Sequence, residues 1–290
     1  MNDLARYPCP CEGDRPEDSL CDVLFEEDGG VVRCVGDWSN SKHYYVGRYI
    51  AIFRSGMKKK FDELNYIDLF AGPGKCRIRG TREVRNGTPL IAAEQGFSNY
   101  FFADMNSRAL DSLRQRFPDK AKATFYADDC NNCAVDINGK IARNSLSLLV
   151  ADQTNVQLKF STLRVVADQR RVDLIIYFPT MYFDRAIPVV KDEEKIQSIN
   201  DFFGDDGEGF GMLKRGAKNA EMVSYYKERL KTLGYFFDGK VDKMIPIYNE
   251  EKNREMYQLL FASAHPRGYD FWQKIAAIDH HGQRSFFFAT

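Results

Sequence analysis

The amino-acid sequence predicts an α/β protein built on a doubly wound, mostly parallel sheet, with an antiparallel strand pair near the C-terminal end and a small Cys-rich N-terminal appendage. Three observations carry this expectation. Strand-like and helix-like segments alternate from Tyr66 onward, as parallel strands joined by helical crossovers do. A glycine turn follows the first of those strands, in YIDLFAGPG. Later, KMIPIY and MYQLLFASA are separated only by NEEKNRE, too short a gap for a crossover, so those two strands pair antiparallel.

Residues 1–36 are rich in Cys, Pro, Gly and acids, and beyond VLF and VVRCV they offer little apolar periodicity. They form the appendage, and 37–290 form the domain. At Asp37-Trp38-Ser39 a helix begins, with Ser39 as N-cap and Tyr44, Tyr45, Val46, Tyr49, Ile50 and Phe53 on its apolar face. There follow the strand YIDLF, a helix from Thr88, the strand NYFFAD, the helix NSRALDSLRQRF, the strand ATFYAD and a helix near 133–145. SLLVAD, a helix near 160–168 and VDLIIYF complete the alternation. A helical insertion spans 187–235, opening with a polar stretch from Lys191 to Gly209 and closing with a helix from about Ala217 to Leu233. No internal repeat or low-complexity tract is evident.

At 290 residues and 44% hydrophobic content the chain can fill a large core. Lys+Arg and Asp+Glu both number 41, so attraction to nucleic acid must come from a local patch. The first twenty residues lack the cationic start and apolar middle of a signal peptide, and no apolar run is long enough to span a membrane. A cytoplasmic protein with no membrane contact is expected. Its seven cysteines are then reduced thiols or metal ligands.

Gly72 and Gly74 sit where backbone N–H groups approach a ligand. A dinucleotide fingerprint needs a third glycine three residues later, and Arg77 is there, which disfavours a nicotinamide-dependent dehydrogenase. What remains, D-x-F-x-G-x-G over Asp68 to Gly74, resembles the first motif of class I S-adenosylmethionine-dependent methyltransferases. The resemblance implies that the glycines pass under the methionine part of the cofactor. It implies also that Asp104, closing NYFFAD, accepts from the ribose hydroxyls, and that Asp128 or Asp129, closing ATFYADD, faces the adenine amine. A strand-ending Asp often only caps the next helix. Three such acids in succession behind one glycine turn favour the ligand reading.

Trp38-Ser39 with Lys42, YIDLFAGPG, TPLIAA, ADDCN, DLIIYFPTMYFDR, FFGDD and LLFASAHPRGYDFW together resemble the three-Cys-motif partner protein family, over about Asp37 to Trp272. That likeness implies a methyltransferase-like fold and a radical S-adenosylmethionine-type partner protein carrying three cysteines. Where the family has Asp-Pro-aromatic-Gly after the fourth strand, akin to the grip of amino-methylating enzymes on a nucleobase, this chain has Asp152-Gln153-Thr154-Asn155. The acid is retained as a proton acceptor. Gln153 and Asn155 carry amide oxygens that accept from an amine, but the stacking aromatic is gone. Asp152 and Asn155 are the catalytic candidates.

Lys75, Arg77, Arg79, Arg82 and Arg85 follow the turn, and alternation in KCRIRG aligns the first three on one face of a short hairpin, suited to phosphates. The alternative is a solvated hairpin paired with Glu83. Cys9, Cys11, Cys21 and Cys34 offer four thiolates for a tetrahedral zinc in the segment with the least core of its own. Cys130 and Cys133 fit packing or cofactor contact better than metal. His43, His265 and the pair His280-His281 show no ligand spacing with one another, and His265 either edges the site or caps a helix. The readings are a methyltransferase acting on nucleic acid or a nucleobase-like amine, an accessory protein that keeps the fold without the chemistry, and, third, the dehydrogenase.

Overall fold

A computed structural model describes residues 20–21, 28–81, 83–186, 191–237, 239 and 242–283. In chain order the elements are β1 (Leu20–Cys21), β2 (Val32–Val35), α1 (Ser39–Met57), β3 (Leu64–Asp68), β4 (Lys75–Ile78), β5 (Val84–Asn86) and α2 (Thr88–Ala93). Then come β6 (Asn99–Ala103), α3 (Ser107–Arg116), β7 (Ala123–Tyr126), α4 (Cys130–Lys140), β8 (Leu146–Ala151), α5 (Phe160–Ala167) and β9 (Arg171–Phe178). The chain continues through α6 (Thr180–Ala186), α7 (Glu193–Phe203), α8 (Glu208–Lys214), α9 (Asn219–Lys231), β10 (Ile245–Asn249), β11 (Arg254–Ala262) and α10 (Pro266–Ala276).

The main sheet has seven strands in the order β10-β11-β9-β8-β3-β6-β7. β3, β6, β7, β8 and β9 run parallel, whereas β11 pairs antiparallel with both β9 and β10. This is the α/β class expected from the sequence, with the antiparallel pair at one end and the strand order of class I methyltransferases. β3 is buried along its whole length, as a central parallel strand covered on both faces must be. Its polar members are paired. Asn65 donates to Ser145 Oγ at 3.0 Å and to Ser147 Oγ at 3.2 Å, and accepts from Asn99 at 2.8 Å.

α1 packs beside α2 and α10, and α4 packs beside α5, which in turn meets α7. The helix after β7 starts at Cys130 and ends at Lys140, earlier than periodicity suggested, because Asp129 caps it. Ser39 lies inside α1, not at its cap, and its hydroxyl donates to Gly36 O. The polar-looking stretch from Lys191 is helical. α7 turns Ile199, Phe202 and Phe203 into the core, where Phe202 stacks on Tyr226 of α9 with centroids 4.6 Å apart.

A second, four-stranded sheet has the order β1-β2-β4-β5. β4 and β5 form the expected hairpin, and β2 joins it in parallel, Cys34 opposite Arg77. Residues 28–35 are bound to the domain by more than this ladder. Arg116, at the end of α3, grips Asp28 with two bonds of 2.7 and 2.8 Å and donates to Val31 O and Pro73 O. Val31 N donates to Ser112 Oγ. The Arg116 guanidinium holds the Asp28 carboxyl well below the usual range.

At the other side, Trp272 of α10 is fully buried, stacks on Phe261 at 5.1 Å and donates Nε1–H to Lys243 O at 3.0 Å. Trp272→Ala is expected to lower stability by about 3–5 kcal/mol through lost burial and the cavity left behind. It would be read as a lower urea midpoint with an unchanged slope.

Candidate functional site

The chain leaves β3 through a turn held by both neighbouring strands. Leu69 N donates to Val150 O of β8 and Ala71 N to Ala103 O of β6. The turn therefore sits at the carboxyl edge of the sheet where strand order changes direction, the place where doubly wound sheets bind ligands. Gly72 and Gly74 both have positive φ, 62° and 79°. Their surroundings differ. A Cβ on Gly74 would meet Leu113 Cδ1 at 2.8 Å, so packing alone explains that glycine. A Cβ on Gly72 would meet Arg33 Nε at 3.2 Å, a side chain brought in by β2.

Asp104, the acid after β6, faces the same point. Its Oδ2 accepts from Gly72 N at 2.8 Å and from Arg33 Nη2 at 3.3 Å, and its Oδ1 accepts from Asn106 N at 2.9 Å. Glycine turn and strand-end acid are thus joined directly, and β2 contributes a cation to the pair. Nothing in the local sequence around VVRCV signals that role for Arg33, since the contact spans more than seventy residues.

Asp68 closes β3 beneath the turn and is fully buried. It accepts from Thr88 Oγ1 at 2.6 Å, Tyr66 Oη at 3.1 Å and Phe70 N at 3.2 Å. Burial outweighs those bonds and pushes its carboxyl up to about 6. Its role here is to brace the turn against the start of α2.

Asp152 follows β8 at the same edge of the sheet. Its Oδ2 pairs with Lys42 Nζ from the first turns of α1 at 2.5 Å, and the lysine is the more buried partner, with side-chain exposures of 8% and 30%. Lys42 also lies 5.4 Å from the centroid of the Tyr177 ring. The Tyr177 hydroxyl is buried with no hydrogen-bond partner among the described residues, and burial followed by the Asp152 charge pushes its pKa far up. Gln153 does not face this space. Its Nε2 donates to Tyr177 O and its Oε1 accepts from Leu158 N, so it braces the loop. Asn155 is exposed on that loop. Beside Lys42, His43 keeps Nδ1 buried without a partner among the described residues. Burial, then the Lys42 and Arg85 charges, push its pKa down.

Asp129 caps α4, accepting from Asn131 N at 2.9 Å and from its side chain at 2.7 Å. Asp128 is exposed and accepts from Asn132. Cys130 and Cys133 are buried, and Cys133 Sγ donates to Asp129 O. Lys75, Arg77 and Arg79 share one face of β4 and its continuation, opposite the buried Cys76 and Ile78. Lys75 approaches Asp28 at 3.5 Å. Arg77 Nε and Nη1 and Arg79 Nε find no acceptor among the described residues. Arg85 is engaged with Glu83 and Asn40, and Arg82 lies outside the described residues.

Of the four leader cysteines, Cys9 and Cys11 lie outside the described residues, Cys21 is described in its backbone alone, and Cys34 is buried in β2. His265 is the N-cap of α10, its Nδ1 accepting from Arg267 N. No helix among the described residues is long and apolar enough to cross a membrane.

No known protein-family profile matches this chain. No curated protein is similar to it in sequence. Among solved structures, it is similar to protein LPL1258 from Legionella pneumophila, with 9% identity over 86% of this chain and 94% of that one and a TM-score of 0.48. It is similar to a putative S-adenosylmethionine-dependent methyltransferase from Listeria monocytogenes, with 13% identity, 79% and 98% coverage and a TM-score of 0.43. The N-methyltransferase NodS from Bradyrhizobium japonicum WM9, solved with S-adenosyl-L-homocysteine, gives 9%, 75% and 86%, and 0.36. With scores this low the fold assignment rests on the strand order, not on these likenesses.

The buried acids set a pH dependence of stability. Asp68 and Asp173 are both raised by burial from 3.8 to about 6, so the folded state holds their protons more tightly than the unfolded state does. Their contribution is full below the unfolded value and is lost as pH rises through the folded one, from about pH 4 to about pH 6. Asp68→Asn is expected to make that decline shallower by on the order of 2 kcal/mol, measured by urea unfolding across the window. An unchanged decline would show that the Asp68 carboxyl is ionised in the folded protein.

Proposed function

We propose that this chain binds S-adenosylmethionine at the carboxyl edge of β3 and β6 and methylates an amine on a nucleic-acid base. The observation that carries the reading is the Gly72 N to Asp104 Oδ2 contact, which puts a ligand-facing backbone turn and a strand-end carboxylate on one point. The carboxylate fits the ribose end of that cofactor. Of its four or so lone-pair positions three are used, by Gly72, Asn106 and Arg33, leaving one for a hydroxyl and a second where Arg33 gives way. Gly72 admits close backbone approach, and Asp129 stands at the end of the next strand. When bound, the cofactor supplies an electrophilic methyl group on a sulfonium.

Asp152 holds the proton that the acceptor nitrogen loses. Its Oδ2 is paired with Lys42, and the exposed face of Asp152 and Asn155 is open to an incoming base. Arg77 and Arg79 lie along the strand that leaves the glycine turn, on one face with Lys75, a row of cations suited to phosphate oxygens. The resemblance to three-Cys-motif partner proteins gains support from the contacts of Asp68 with Thr88 and of Lys42 with Asp152, because Lys42, Asp68 and Thr88 belong to motifs of that likeness and Asp152 is the acid kept where the rest of the family's Asp-Pro-aromatic-Gly is replaced.

A second reading rests on the same ion pairs. Arg33 already engages Asp104 and Lys42 already engages Asp152, an arrangement that suits an accessory protein working with a radical S-adenosylmethionine-type partner and performing no chemistry itself.

Calorimetry with S-adenosylhomocysteine tests the shared premise. Wild-type protein is expected to bind, and Asp104→Ala to bind at least tenfold more weakly, about 1.4 kcal/mol. Absence of binding by folded wild type would end both cofactor readings. Methyl incorporation from labelled cofactor into bulk RNA or DNA then separates enzyme from accessory protein. For the basic row, affinity for a labelled oligonucleotide is expected to fall steeply with salt, and Arg77→Ala to reduce the log–log slope by roughly one unit or slightly less. No binding to single- or double-stranded probes at low salt favours the accessory reading.

A further inference from the structure

At the tip of the β10–β11 hairpin, three side chains converge that sequence spacing did not join. The tip of the β10–β11 hairpin opens with Glu250, and the segment after α10 carries His280 and His281. His280 Nε2 lies 3.3 Å and His281 Nε2 3.2 Å from the same oxygen, Glu250 Oε1. The two imidazole rings sit side by side with centroids 3.9 Å apart. Consecutive residues point the same way here because they occupy a turn. Asp279 Oδ1 accepts from His281 N at 3.0 Å and Gln283 N at 2.8 Å, and Gly282 N donates to Asp279 O at 3.0 Å.

We propose that Glu250, His280 and His281 form a binding site for a divalent transition-metal cation of the zinc class. Three lines of chemistry agree. Imidazole nitrogens with one carboxylate are a donor set that such cations prefer over magnesium or calcium. Metal–ligand bonds of about 2.0–2.1 Å in a tetrahedron put ligand atoms about 3.3 Å apart, which is the separation of Glu250 Oε1 from each imidazole. All three donor atoms already lie within 4.8 Å of one another, so a small closure of the His280–His281 pair completes the face. With three protein ligands the fourth position is left for water. The cation would join the hairpin tip to the chain beyond α10, two segments thirty residues apart.

The test uses the full chain, stripped with chelator and titrated with zinc sulfate by calorimetry and, separately, with cobalt(II). One equivalent of zinc is expected to bind, and Glu250→Gln and His281→Asn each to weaken that event at least tenfold while circular dichroism stays native. Cys9→Ser with Cys11→Ser is expected to leave it intact, which separates it from any thiolate site in the leader. Cobalt(II) at this site should give visible d–d bands without thiolate charge-transfer absorption, and zinc should raise the melting temperature of wild type but not of Glu250→Gln. Zinc binding that is absent, or that survives both Glu250→Gln and His281→Asn, overturns the proposal and leaves two histidines hydrogen-bonded to a surface glutamate.

Discussion

The carboxylate of Asp104 is the point on which the site depends. It takes one hydrogen bond from the glycine turn, one from Asn106 just ahead of α3 and an ion pair from β2, so two segments distant in sequence are referenced to one carboxylate. Gly72 could not present its N–H there without positive φ, and β2 could not bring Arg33 there without its parallel pairing to β4. The Arg116 grip on Asp28 and on Val31 and Pro73 carbonyls acts from the opposite side, fixing the strand and the turn to the same helix.

A second constraint is burial of charge around the central strand. Asp68 and Lys42 are both nearly removed from water, and each persists because it has partners: two hydroxyls and an amide for the acid, a carboxylate for the base. Removing one member of the Lys42–Asp152 pair would leave the other uncompensated, which is more damaging than replacing both. The same environment leaves the Tyr177 hydroxyl without a partner among the described residues, and an unsatisfied buried group beside a half-exposed acid is where a ligand hydrogen bond gains most.

What sequence conveyed and what it did not divide along physical lines. The main-sheet strands and their crossover helices were legible because parallel strands are apolar runs and the helices carry 3.6-residue periodicity, both local signals. The glycine turn and the acids at strand ends were legible for the same reason. Unread, beyond the β10–β11 pair and the β4–β5 hairpin, were the pairings between residues far apart in sequence. VVRCV shows too few residues to announce itself as a strand, and only its ladder with KCRI, forty residues on, gives it a place. Lys42 was marked by resemblance, yet its partner Asp152 lies on another element, and Gln153 looked like a ligand donor until its amide was found bracing its own loop. α7 read as polar because its charged face outnumbers the three apolar residues that it buries.

The position of β11 has a consequence for how the molecule is made. β11 comes last of the described strands along the chain, yet it lies inside the sheet, between β9 and β10. During synthesis β9 is therefore complete while one whole edge of its VDLIIYF run stays unpaired, and β10 has nothing beside it until β11 emerges. The two late strands reach the sheet as a hairpin that extends its β9 rim, with β11, the later of the two, docking on β9 and β10 left as the outer edge. Until then that apolar edge is the stretch of nascent chain most open to wrong pairing with another copy, or to capture by a chaperone.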